Sequence, residues 1–168
     1  MPELPETETI ARDLDAALRE ATVREVNVLR EDVLRTSSAR ELNRVANQRI
    51  TSVFRRAKAI VMEFSRGDRL VVVPRFTGAL LLGESANRPY ACVTLSLDGG
   101  RQLEYVDVRR LGTLTLPTPE QYAAWDAGLG PEPLDPALTS ERFSGILRGS
   151  SRAVKTVLMD QKRLAGVG

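Results

Sequence analysis

The first residues of the chain, MPELPETE, place a secondary amine beside several carboxylates. Loss of Met1, usual before a small second residue, leaves Pro2 as the terminal amine, with Glu3 as its covalent neighbour and Glu6 and Glu8 close behind. A free α-amine titrates near pH 8 and a lysine side chain near 10.4, so more of the former is neutral and nucleophilic at neutral pH. A helix starting just after it lowers the amine's proton affinity further, because the positive end of the helix dipole disfavours a second positive charge. Attack by such an amine on a carbon at the aldehyde oxidation level displaces its substituents and leaves an iminium. The iminium is an electron sink, so a proton on the neighbouring carbon becomes acidic and a leaving group one carbon further on can be eliminated. Each step needs a proton donor or acceptor within a few Å, help that typically gives about 10² to 10⁴ in rate. Glu3 is the nearest such group, and Glu6 is placed to support it. On composition alone the same carboxylates read as ordinary decoration of a helix start.

Other chemistries are excluded by what the chain lacks. With no histidine and one cysteine, neither a histidine-based triad nor a four-ligand zinc site can be assembled from this chain alone. Cys92 lies in an alternating apolar pattern, reads as buried filler and fits a reducing compartment. No apolar run reaches the roughly 18 residues of a membrane span, and acidic residues stand where a secretory signal is basic. A soluble intracellular protein, free of membrane, is the expectation. Net charge is +2, and among 24 basic side chains only Lys58, Lys155 and Lys162 are lysines. An arginine excess fits a GC-rich genome equally well. Arg142, Arg148, Arg152, Lys155, Lys162 and Arg163 against Glu141 and Asp160 nonetheless form a local excess suited to a polyanion.

These groups need a scaffold. Ile10, Leu14, Ala17 and Leu18 recur at helical spacing and predict a helix over about 5–20, with Pro5 in its first turn. Strand patterns follow at 22–29 and 50–64, the latter leading through SRGD into RLVVV, then in GALLLGE, YACVTLSL, RQLEYVDV and GTLTLPT. Asp98-Gly99-Gly100 marks a hairpin. Ser38 with Glu41 predicts a capped helix over about 39–48, and Thr118, Pro119 and Gln121 open another. Short strands joined by hairpins and flanked by helices predict a mainly β architecture, an antiparallel β-sandwich with helices. Prolines and glycines at 128–136 read as a linker. Helices follow at about 139–147 and 152–161, with the Ser150-Ser151 pair as break and cap. Val154, Val157, Leu158, Leu164 and Val167 have no downstream partner, so the chain reads as a piece of a longer protein or as helices folded back on the sandwich, the former being the expectation.

MPELPETETI, FRRAKAI, RFTG at 75–78, DVRRLGT at 107–113, LGPEPL and KTVLMDQKRLAGVG occur in the order and at about the spacing found in the formamidopyrimidine-DNA glycosylase and endonuclease VIII family, which the whole chain resembles. The resemblance implies a catalytic N-terminal sandwich over 1–130, followed over 131–168 by a linker and the truncated start of a helix-two-turn-helix DNA-binding domain. It makes Pro2 the Schiff-base nucleophile, Glu3 the proton donor and Lys58 a catalytic lysine at a β-turn tip. It places Lys155 near the bound nucleotide. Phe76, Arg109 and Leu111 match the residues that fill the gap left by an extruded nucleotide, commonly Met, Arg and Phe, so two of the three depart. Thr7 stands for a commoner valine, and VVVPRF for a histidine-containing segment. Zinc is implied only in a C-terminal finger absent from this chain.

The implied function is a bifunctional glycosylase and abasic-site lyase of base-excision repair. It acts as a monomer on damaged double-stranded DNA in the nucleoid-associated bacterial cytoplasm. Leu4 favours oxidised purines such as 8-oxoguanine and formamidopyrimidines, because the pyrimidine branch usually has glycine there. The alternatives are an oxidised-pyrimidine enzyme of the endonuclease VIII type and a non-catalytic DNA-binding module.

Overall fold

The computed structural model describes residues 2–84 and 88–168. Met1, whose loss frees Pro2 in the reading above, lies outside the described residues. Helix α1 (Leu4–Leu18) leads to strand β1 (Val23–Val28), a short 3-10 turn and helix α2 (Ala39–Leu42). Strands β2 (Ile50–Arg56), β3 (Ala59–Phe64), β4 (Arg69–Val73), β5 (Gly78–Gly83), β6 (Ala91–Leu97), β7 (Gln102–Asp107) and β8 (Thr113–Thr115) follow. Helices α3 (Pro119–Ala127), α4 (Ser140–Arg148) and α5 (Val154–Leu158) complete the chain. The strands form two four-stranded sheets, ordered β1-β6-β7-β5 and β2-β3-β4-β8. Every pairing between strands is antiparallel, as the sequence pattern predicts.

Period-two alternation builds the core between the sheets. Ile60, Met62, Phe64, Leu70 and Val72 point inward from the second sheet and meet Val93, Leu95, Leu103 and Tyr105 of the first. Ala59, Val61 and Val71 point outward, where Tyr122 and Trp125 of α3 cover them. Strand β3 is therefore buried on both faces from Ala59 to Met62 and reads there as a continuous apolar run, broken by the half-buried Glu63. Helix α1 packs along β2 and β3 and buries Thr7, Ala11, Leu14 and Leu18.

Three predicted elements come out shorter. The helix expected over 39–48 keeps its Ser38–Glu41 capping box but ends at Leu42, passing into a 3-10 turn. Beyond that turn Asn47 adopts a left-handed φ of 59°, and buried Gln48 donates to Asp68 at 2.6 Å. The helix expected over 152–161 contracts to α5. The two serines break the chain there, but neither caps the helix: its N-cap is Ala153, without a side-chain bond. Arg152 instead folds onto Asp160 at 2.8 Å, bending the chain at both ends of α5. In GTLTLPT only Thr113–Thr115 pair as a strand, against β4.

The tail folds back on the sandwich rather than projecting from it. Val157, Leu164 and Ala165 are buried, while Val154 stays exposed. Backbone bonds run from Gly130 N to Gln161 O (2.8 Å), from Ala165 N to Pro131 O (3.0 Å) and from Leu4 N to Gly166 O (3.1 Å). Residues 161–168 thus lie between the linker and the start of α1. No helix among the described residues is long and apolar enough to cross a membrane.

Candidate active site

Sheet register gathers the candidate residues at one end of the fold. Arg56 pairs with Ala59, so Ala57 and Lys58 form the tip of the β2–β3 hairpin. Ile60 pairs with Val72, and Val73 with Thr113. The hairpin tip, the 74–77 turn after β4 and the 108–112 loop before β8 therefore leave the second sheet from the same end. Helix α1 runs antiparallel to β2: Asp15 accepts from Val53 N at 2.7 Å, and Glu8 from Arg55 Nε at 2.8 Å. Its N-terminus arrives at the same end. There Lys58 Nζ lies 3.5 Å from Glu3 Oε2, with both side chains about one quarter exposed.

Pro2 is half-buried and directly precedes Glu3. Glu6 folds back to accept a hydrogen bond from Glu3 N at 3.0 Å. Its carboxyl is held below the usual carboxylate range by backbone N–H groups of the first turn, its own and that of Glu3. Thr7, fully buried, donates its hydroxyl to Glu3 O and so fastens the backbone of the candidate acid. A Cβ on Gly168 would fall 1.7 Å from Glu3 Oε2, so the tail backbone lies directly against that carboxylate. Leu4 packs against Gly166. Its identity is constrained by packing as well as by any branch of the family.

The Lys58 turn is locked by residues the sequence reading missed. Glu132, in the linker, accepts from Ala57 N at 2.7 Å and from Arg56 at 2.9 Å, and also pairs with Arg55. Arg55, only 4% exposed in its side chain, bridges Glu132 and Glu8. Burial alone would raise the Glu8 carboxyl, but the paired Arg55 and Arg12 guanidinium groups outweigh it and hold Glu8 below the usual range. Ala57 itself has φ 54°, Arg75 52° and Arg110 50°. Three non-glycine residues in the left-handed region thus adjoin Lys58, Phe76 and Arg109, a strained arrangement that persists only where the surroundings enforce it. Glu132→Gln removes one charge from a largely buried set and leaves Arg55 with Glu8 alone. It should lower stability by about 2–4 kcal/mol, read as a reduced urea midpoint at unchanged slope.

Phe76 and Arg109 are exposed, with the Arg109 guanidinium 5.2 Å from the Phe76 ring centroid. Leu111 lies half-buried on the same loop as Arg109. A groove of about 780 Å³ runs beside this loop, lined by Arg30, Arg88, Tyr90 and Arg110. Two of these cations are engaged, Arg110 with Asp32 and Arg88 with Glu104. Lys155 stands apart from the Glu3–Lys58 pair, exposed on α5 in a shallow depression with Arg152, Thr156, Met159 and Asp160. Cys92 is buried, and no group of three or more His, Cys, Asp or Glu among the described residues could hold a metal ion.

The chain and its fold both have relatives among known proteins. Residues 1–114 match the model of the formamidopyrimidine-DNA glycosylase N-terminal domain. The whole chain aligns with formamidopyrimidine-DNA glycosylases of Moorella thermoacetica, at 40% identity over 63% of that protein, and of Thermomicrobium roseum, at 38% over 64%. It therefore spans less than two thirds of the length of these relatives. The crystal structure of the Lactococcus lactis enzyme bound non-covalently to DNA containing an AP site superposes with a TM-score of 0.87 at 26% identity, covering 99% of this chain and 65% of that one. A second structure of that enzyme, with DNA containing N7-benzyl-Fapy-dG, gives 0.88 and covers 63% of its chain. In sequence and in fold, the chain belongs to the formamidopyrimidine-DNA glycosylase family.

Proposed function

We propose that the chain carries the catalytic part of a DNA glycosylase and abasic-site lyase of base-excision repair, acting on oxidised purines in duplex DNA. The observation that carries this reading is the convergence of Pro2, Glu3 and Lys58 at one end of the sandwich, with Lys58 Nζ 3.5 Å from the Glu3 carboxylate. Solved relatives bound to damaged DNA support it. Residues 1–130 form the catalytic unit in this reading, and 131–168 begin a helical DNA-binding unit.

The chemistry follows from the groups present. The Pro2 nitrogen bonds to C1′ as the C1′–N bond to the base breaks, with Glu3 delivering the proton that the departing base requires; the amine then gives up its own proton, the C1′–O4′ bond breaks and O4′ takes up a proton, opening the sugar. The resulting iminium draws electrons from the C2′–H bond. Once that proton is removed, the C3′–O bond breaks and phosphate departs. Water then adds to C1′ and returns the amine. Lys58, beside Glu3, stabilises phosphate charge and aids proton transfer. Phe76, Arg109 and Leu111 fill the space of the extruded nucleotide, and Lys155 meets DNA near it.

Borohydride reduces an iminium to a stable amine, so the chain incubated with abasic-site DNA and borohydride should yield a covalent adduct of protein plus oligonucleotide mass. Binding of the same DNA with no adduct would instead identify a DNA-binding module without chemistry.

A further inference from the structure

We propose that Asp107 is a positioning residue that fixes the two wedge-bearing loops as one unit, so that they enter the base stack already shaped. This inference rests on the function proposed above and adds a residue that neither touches DNA nor reacts. Asp107 ends β7 and pairs with Gly78, the first residue of β5, so the Phe76 turn and the Arg109–Leu111 loop flank a single strand pair. Its side chain is buried, and both oxygens are fully used. One accepts from the Thr77 hydroxyl and from Arg109 N at 3.1 Å. The other accepts from Gly112 N at 2.8 Å and from the Tyr105 hydroxyl at 3.1 Å. Arg109 N also reaches Thr77 Oγ1 at 3.1 Å. Four donors from residues 77, 105, 109 and 112 therefore saturate one carboxylate.

The surroundings leave this group no alternative pose. A Cβ at Gly112 would fall 1.8 Å from the Tyr105 oxygen, and one at Gly78 2.4 Å from it, so both loops close on that hydroxyl. Burial pushes the Tyr105 phenol far up, with the Asp107 charge adding to it, and its proton stays available to donate. Burial would also raise Asp107, but hydrogen bonds from Thr77, Gly112, Tyr105 and Arg109 outweigh it and keep the carboxyl below its usual range. Residues 108–112 make no strand pairing, and their order comes from this interior anchor. A loop ordered before binding does not lose that freedom during insertion.

Asp107→Asn keeps the shape but turns one oxygen into a donor. Either amide orientation then faces a backbone N–H, of Arg109 or of Gly112, which cannot rotate away as a hydroxyl can. Thr77→Val is a milder second variant that cuts only the bridge between the turns. Each variant is compared with the unaltered chain in two measurements: the fluorescence of 2-aminopurine beside a tetrahydrofuran site in duplex DNA, and borohydride trapping on duplex and single-stranded abasic DNA. The expected result is loss of most of the fluorescence rise and a fall of about 10- to 100-fold in the duplex-to-single-strand trapping ratio, the smaller figure for Thr77→Val. A fluorescence rise retained by both variants, an unchanged trapping ratio, or no rise with the unaltered chain overturns the proposal. Absence of any adduct from the unaltered chain would sink the proposed chemistry instead, while fluorescence still reports on the wedge.

Discussion

Acetylating the processed N-terminus will remove the trapped adduct on abasic-site DNA, with a loss of at least about 10²-fold relative to the free amine. An amide nitrogen has no available lone pair, so no iminium can form. Pro2→Gly separates the amine from the ring: a primary amine remains at the same position, and a weaker adduct is expected. The controls lie in the fold. Pro2 precedes α1 and contributes nothing to the core between the sheets, so neither change should move the melting temperature by more than a degree or two. If the blocked protein traps as well as the free one, another amine is the nucleophile. Lys58, 3.5 Å from Glu3, would be the first to test.

Glu3→Gln should separate the two halves of the reaction. Base release requires a proton for the leaving group, which an amide does not supply, so excision from damaged duplex should fall by about 10² to 10⁴. On a ready-made abasic site the base has already gone, and strand cleavage should fall by less than about tenfold. Single-turnover rates on the two substrates decide the matter, and equal losses would remove Glu3 from the role of acid. Thr7 and Glu6 hold the Glu3 backbone rather than its carboxyl, so the substitution should leave the first turn in place.

The sandwich was legible because each strand carries its own evidence. Ile60, Met62 and Phe64 alternate with Ala59 and Val61, and both sets found apolar partners. Lys58 was marked as a turn residue by the family resemblance, inside a 50–64 stretch that splits into β2 and β3. Arg55 and Glu132 carried no such mark, since 77 positions divide them and nothing local makes them partners. Asp107 was read only as part of DVRRLGT; its burial follows from strand order, which alternation does not specify. Helix ends were misjudged beside contacts that local propensity does not carry, as with Gln48 on Asp68 and Arg152 on Asp160. Val157 and Leu164, read as uncovered, are buried.

The bond from Leu4 to Gly166 makes the first and last described segments neighbours. An affinity handle or reporter fused at the start would crowd this junction as well as cap the amine. The β6–β7 connection at Asp98–Gly100 has exposed glycines and lies at the far end of β7 from Asp107. That connection is the natural place to attach a label, since it leaves the Pro2 amine free.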